Sequence, residues 1–216
     1  MNREEAGRLL ADELREYEDR NPVVLGIPRG GVIVAGEIAR ILHAELDVVL
    51  SRKLGAPGNP ELAIGAISED GTLFLDEDLR RRLSPHNEFA IYVEDEREKQ
   101  YTMIAESLGR FRSVRPKVPL KGRTVIITDD GIATGSTMQA SIWTVRREAP
   151  EKIIAAVPVG SIEALERTSL EADETVVLKA PPIFYAVGQF YEYFTQTGDE
   201  EVIAALRESA DKAHRP

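Results

Sequence analysis

Cysteine is absent from this sequence, which excludes disulfides, thiolate catalysis and cysteine-based zinc sites. No apolar run reaches the length of about 18 residues that suggests a membrane-spanning helix. The opening segment, MNREEAGRLLADELREY, carries acidic side chains and lacks the apolar core of a secretory signal, so a cytoplasmic protein with no membrane partner is expected. Concentrated basic patches are missing too. The 27 Lys and Arg residues are scattered and outnumbered by 37 Asp and Glu, and the net charge of −10 opposes binding to nucleic acid. Three histidines, His43, His86 and His214, lie away from every motif described below, which points to structural or exposed roles. What is present suits a globular protein: 216 residues, 43% hydrophobic and 30% charged, enough for one sizeable core. A single domain over residues 1–216 with an added subregion is expected.

Hydrophobic patterning alternates between strands and helices. Arg3 to Tyr17 puts Leu9, Leu10 and Leu14 on one face of an amphipathic helix. Val23 to Ile27 reads as a strand, Val32 to Leu42 as a helix and Leu46 to Leu50 as a second strand, which is a βαβ unit. Ala63 to Ser68 and Thr72 to Leu75 read as strands joined near Asp70-Gly71. Ser84 and Pro85 mark a helix start, and a long polar helix is expected from Asn87 to Phe111. Beyond Pro116 and Pro119, strands at Val125 to Ile127, Ile153 to Val159 and Thr175 to Leu178 alternate with helices at Ser136 to Arg147 and Ser161 to Leu170. This order predicts the α/β class with a doubly wound, mainly parallel sheet.

The densest chemistry lies in Val125 to Thr137, VIITDDGIATGST, between a strand and a helix. Open α/β sheets bind ligands at such strand ends. Gly131, Thr134, Gly135, Ser136 and Thr137 let an anion approach backbone N–H groups at the helix N-terminus, with hydroxyls adding hydrogen bonds. Asp129 and Asp130 would repel that anion, so their partners are neighbouring sugar hydroxyls or a divalent cation travelling with the ligand. A helix cap or turn closure is the plainer alternative. GIPRGGVIVAG, Gly26 to Gly36, is a second strand-to-helix turn, where Gly30 and Gly31 permit unusual torsions and Arg29 supplies a fork of donors, a cradle for pyrophosphate or a structural turn with a surface arginine. A third block, SRKLGAPGNPELAIGA, holds Gly55, Pro57, Gly58 and Pro60, which favour a loop.

Together these stretches resemble type I phosphoribosyltransferases. VIITDDGIATGST is similar to their motif for phosphoribosyl pyrophosphate (PRPP), PRGG to their pyrophosphate loop, and Arg52-Lys53 to the basic pair at a flexible loop that sometimes acts across a dimer interface. The resemblance covers about Val23 to Leu206, and RKLGAPGNPELAIGA with QFYEYFTQTGDEEV looks like a group of predicted phosphoribosyltransferases whose acceptor is unsettled. It implies a catalytic set of Arg29, Lys53, Asp129 and Asp130, and a substrate-binding set of Gly30, Gly31, Arg52, Ala133, Thr134, Gly135, Ser136 and Thr137. Magnesium is the implied cofactor, at Asp129 and Asp130 directly or through water. The implied partners are PRPP, a small-molecule nitrogenous acceptor and a second copy of the chain in a homodimer.

Ala133 stands where oxopurine salvage enzymes carry an Asp before the Thr-Gly pair, which weakens an oxopurine assignment. Glu61 is a further candidate, as a salt-bridge partner or a contact to the nucleophile. The family's hood has two candidates, Asp76 to Pro119 and the tail over residues 180–216. Aromatics of that tail, Phe184, Tyr185, Phe190, Tyr191, Tyr193 and Phe194, can stack on a base or pack the segment onto the core. The long helix fits a hood element or a dimer contact equally. A PRPP-binding regulator without turnover is the alternative function. A nucleotide kinase is disfavoured because GIATGST lacks a P-loop lysine, and a sugar-phosphate hydrolase because no separate metal-ligand cluster is present.

Overall fold

The computed structural model describes residues 1–76 and 87–213, the side chains of residues 60, 61, 87 and 211–213 excepted. The Ser84-Pro85 helix start, His86, His214 and the side chain of Glu61 lie outside the described residues. Helix α1 spans Arg3–Glu13 and begins in a capping box, in which Asn2 accepts from the Glu5 N–H and Glu5 accepts from the Asn2 N–H. Leu10 and Leu14 are fully buried, but Leu9 is half exposed, since adjacent helical residues point about 100° apart. The helix is also shorter than the pattern predicts, because a separate 3-10 turn forms over Arg15–Tyr17.

Strand β1 (Val23–Gly26), helix α2 (Gly30–Ile41) and strand β2 (Glu45–Val48) form the expected βαβ unit. Strands β3 (Ser51–Ala56), β4 (Asn59–Ser68) and β5 (Leu73–Leu75) then make an antiparallel sheet. Here the structure corrects the sequence expectation of a loop. Pro57 and Gly58, with Gly58 at φ 73°, are the turn of a hairpin, while Leu54, Ile64 and Ile67 bury its apolar positions. The register shifts at Gly55, so the glycine that suggested a loop sits at a bulge-like irregularity within the ladder.

Helix α3 (Asn87–Arg112) lies against this hairpin, with the Tyr92 hydroxyl donating to the Gly55 carbonyl at 2.8 Å. Strand β6 (Thr124–Thr128), helix α4 (Ser136–Arg146), strand β7 (Lys152–Val159), helix α5 (Ile162–Glu171) and strand β8 (Glu174–Lys179) follow. The tail contains a 3-10 turn at Val187–Phe190 and helix α6 (Asp199–Ala213), which the aromatic pattern of the tail does not announce.

The main sheet has five parallel strands in the order β2-β1-β6-β7-β8. Alternating side chains serve two cores. Val24, Ile126 and Ile154 join α1, α2 and α6 through Leu10, Ile38 and Leu206 on one side. Val23, Leu25, Val125, Ile127 and Ile153 join α4 and α5 through Met138, Ile142 and Ala164 on the other. Burial on both faces explains why the central strands read as unbroken apolar runs. Among the described residues, no helix is long and apolar enough to cross a membrane.

Candidate active site

The site forms where the strand order reverses. From β1 the chain turns toward β2 on one side, from β6 toward β7 on the other, and a crevice opens beyond the carboxyl ends of β1 and β6. Gly26 is paired in register with Thr128, and the Ile27 N–H donates to the Thr128 carbonyl at 2.9 Å. Two loops far apart in sequence therefore leave the sheet side by side. The Pro28–Arg29 peptide is cis.

Gly30 and Gly31 are needed for that proximity. A Cβ at Gly31 would lie 2.7 Å from the Asp129 Cα and 2.8 Å from the Thr128 carbonyl oxygen, and one at Gly30 would collide with the Asp130 carboxylate. The start of α2 is thus pressed against the acidic pair, with no room for a side chain between them.

Asp129 accepts from the Asp130 N–H at 2.8 Å through Oδ1. Burial, and then the charge of Asp130, hold the Asp129 carboxyl well above the usual carboxylate range. Asp130 is engaged differently. Arg3 places Nε and Nη2 each 2.8 Å from Asp130 Oδ2, and the Tyr191 hydroxyl donates to the Asp130 carbonyl at 2.5 Å. Arg3 is not legible as a site residue in the sequence, because nothing in the local pattern of α1 points to a partner 127 positions away. Tyr191 packs the tail onto the acidic loop's backbone, and its burial raises its phenol pKa above the ordinary value.

The hydroxyl loop ends in Gly135, the N-cap of α4, at φ 75° and with no side-chain cap. No acidic residue occupies the first turn of α4, so its positive dipole end faces no resident carboxylate, and the Ser136 N–H donates to Thr134 Oγ1 at 3.4 Å. Thr134 Oγ1 lies 3.2 Å from Ser136 Oγ, and Thr137 is exposed beside them. Ala133 is exposed and contributes its carbonyl, which accepts from Ser161 Oγ at 2.8 Å. The Ile132 N–H donates to the Val159 carbonyl at 3.0 Å, tying the same loop to the end of β7.

A cleft of about 860 Å³ gathers Arg29, Gly30, Arg52, Lys53 and Thr137. Helix α3 contributes Tyr92, Glu96 and Gln100 to its wall, and the tail contributes Phe194 to Thr197. Asp130 adjoins the cleft through Arg3 and Gly30, both of which line it. Arg29 donates through Nε to Asp199 Oδ1 at 2.6 Å, while Arg110 Nη1 lies 2.9 Å from Asp199 Oδ2. Asp199 lies within the QFYEYFTQTGDEEV stretch, but nothing in that local sequence or around Arg110 names Arg29 as the partner. His43 is exposed.

A parallel sheet of this order defines an α/β protein, and its glycine-arginine turn and acid-hydroxyl loop lie at the switch point where sheets of this class bind ligands. Residues 2–195 match the phosphoribosyl transferase domain family, and the chain belongs to that family. Two proteins of Mycobacterium tuberculosis, from strains CDC 1551 and H37Rv and each named "Putative phosphoribosyl transferase", are 46% identical over 214 residues. Those alignments cover 99% of this chain and 47% of each relative, so the chain spans about half the length of the curated relatives it matches. The crystal structure of TT1426 from Thermus thermophilus is 47% identical, with a TM-score of 0.89 over 96% of this chain and 97% of that one.

Proposed function

We propose that the protein transfers the 5-phosphoribosyl group of PRPP to a nitrogenous acceptor, a nucleobase or related amine, with release of pyrophosphate. The observation that carries this reading is the register of Gly26 with Thr128, which sets the glycine-arginine turn and the acid-hydroxyl loop against each other at one crevice. A ligand spanning both must bear anionic groups at its ends and hydroxyls between them, as PRPP does. In this reading the Thr134 to Thr137 loop and the α4 N-terminus hold the 5′-phosphate, Asp129 and Asp130 orient the ribose hydroxyls, and Arg29, Gly30 and Gly31 hold the diphosphate with Arg52 and Lys53.

The acceptor nitrogen forms a bond to C1 as the bond from C1 to the diphosphate oxygen breaks, and positive charge develops on the ribose ring. The chain's help is positioning and electrostatics: Arg29 and Lys53 offset the leaving charge, and Asp129 and Asp130 keep the sugar in line. Asp129 and Asp130 offer only hard oxygen donors, which fit magnesium in the manner of sites that bind it through one or two carboxylates plus substrate phosphates. Magnesium bound there would neutralise diphosphate charge. Both hood candidates contribute to the cover in this reading, α3 as a wall of the cleft and the tail through Tyr191 and Phe194. The retained Arg29 and the basic cleft favour turnover over a purely sensory role.

The test is titration of magnesium and PRPP by calorimetry, followed by a pyrophosphate-release screen over purines, pyrimidines and small amines. Binding with acceptor-dependent release is expected. Binding without release across the screen would favour the regulatory alternative, and absence of binding would overturn the reading of the acid-hydroxyl loop.

A further inference from the structure

We infer that Arg3 is a positioning residue of the ribose-binding site, acting by fixing the Asp130 carboxylate. The inference rests on the proposed reading of the acidic pair as the group that holds the sugar. Arg3 opens α1, yet it is only 8% exposed and its guanidinium is held on every side. Nε and Nη2 both meet Asp130 Oδ2 at 2.8 Å, Nη1 donates to the Thr195 carbonyl at 2.9 Å, and Cζ lies 4.2 Å from the ring centroid of Phe194. The planar fork is thereby locked, and it locks the carboxylate in turn.

Fold stability gives no evident reason for a charge here. Helix α1 already packs through Leu10 and Leu14, and a buried ion pair is often no better a stabiliser than apolar packing of the same volume. The acidic pair does give one. Two adjacent carboxylates repel each other, and a cation on one of them lets both stay in place in the absence of ligand. Both Arg3 contacts fall on Oδ2, so the guanidinium leaves Oδ1 outside its grip. Arg3 also ties the tail to the site through Thr195 and Phe194, so the orientation of Asp130 is coupled to the seating of the tail.

The test compares two ligands in the full chain by calorimetry: ribose 5-phosphate, which carries the hydroxyls, and magnesium pyrophosphate, which does not. Arg3→Ala is expected to weaken ribose 5-phosphate by about tenfold while pyrophosphate stays within about twofold, and Arg3→Lys to recover part of the loss. Adding Arg3→Ala to Asp130→Asn is expected to cost little more than Asp130→Asn alone, because both act through one contact. Unchanged ribose 5-phosphate affinity in folded Arg3→Ala overturns the inference, as does an equal loss for both ligands, which would mark a structural role. Should Arg3→Ala fail to fold, Arg3→Lys decides, since wild-type affinity in that variant excludes a need for the fork. Insensitivity of binding to Asp130→Asn would overturn the underlying reading of the acidic pair, and the inference with it. A sensitive Asp130→Asn beside an insensitive Arg3→Ala overturns the inference alone.

Discussion

Asp199 holds Arg29, its Oδ1 accepting from the Arg29 Nε at 2.6 Å, and the same carboxylate meets Arg110 at 2.9 Å. The first residue of α6 thus occupies the arginine assigned above to the diphosphate, so an incoming anion must displace or share it. Ion pairs near the surface contribute about 0.2 to 1 kcal/mol, which corresponds to about 1.4- to fivefold in affinity. Asp199→Ala is expected to tighten magnesium pyrophosphate by that factor in calorimetry. Weaker binding in the folded variant would mean that Asp199 orients Arg29 for the anion instead of competing with it.

Arg29 itself should matter far more. Charge-assisted hydrogen bonds contribute about 1.5 to 3 kcal/mol, or about 10- to 150-fold. Arg29→Ala is therefore expected to lower pyrophosphate and PRPP affinity in that range, with the unfolding midpoint little changed because the side chain is 47% exposed. Intact affinity in the folded variant would reduce Arg29 to a structural partner of Asp199.

The contact between the two loops makes a sharper steric prediction. Gly31→Ala introduces a Cβ within 2.7 Å of the Asp129 backbone, so α2 or the acidic loop must shift. Overpacking of this kind costs about 1 to 3 kcal/mol. A lower thermal midpoint together with weaker PRPP binding is expected. A variant that loses neither would mean that the crevice yields without cost, against the close packing seen here.

The elements legible in the sequence are those with local causes. The β-branched run before Asp129, the Pro-Arg-Gly-Gly turn and the Thr-Gly-Ser-Thr helix start each advertise themselves within a few residues, and the βαβ order places them at strand ends. The β3–β4 hairpin reads as a loop because Pro57 and Gly58 signal a turn without saying whether strands flank it. Helix α6 has its own signal, Asp199, Glu200 and Glu201 in its first turn, beside a more conspicuous aromatic segment. Arg3 on Asp130 and Asp199 on Arg29 cannot be read at all, since 127 and 170 positions separate the partners and only the fold brings them together.

Asp129 carries the last prediction, in which stability and binding move in opposite directions. Burial first, then the Asp130 charge, raise its folded-state pKa well above the ordinary 3.8, with the Asp130 N–H and Arg3 acting the other way. Between the unfolded and folded values the folded chain holds the extra proton, so stability falls as pH rises through that window and the full cost is present above it. Asp129→Asn removes the charge but keeps an oxygen to accept from the Asp130 N–H, now at 2.8 Å. The ligand-free variant is expected to be more stable than its parent near neutral pH, with the gap closing as pH falls toward the ordinary carboxyl value, where the unfolded chain takes up the proton as well. Its affinity for magnesium PRPP is expected to fall by about tenfold or more, because a carboxylate that accepts from ribose hydroxyls is lost. Unfolding midpoints across pH and calorimetry on the same preparations check both arms. A variant less stable than its parent at neutral pH would remove the case for a strained carboxylate, while unchanged PRPP affinity would remove Asp129 from the sugar site.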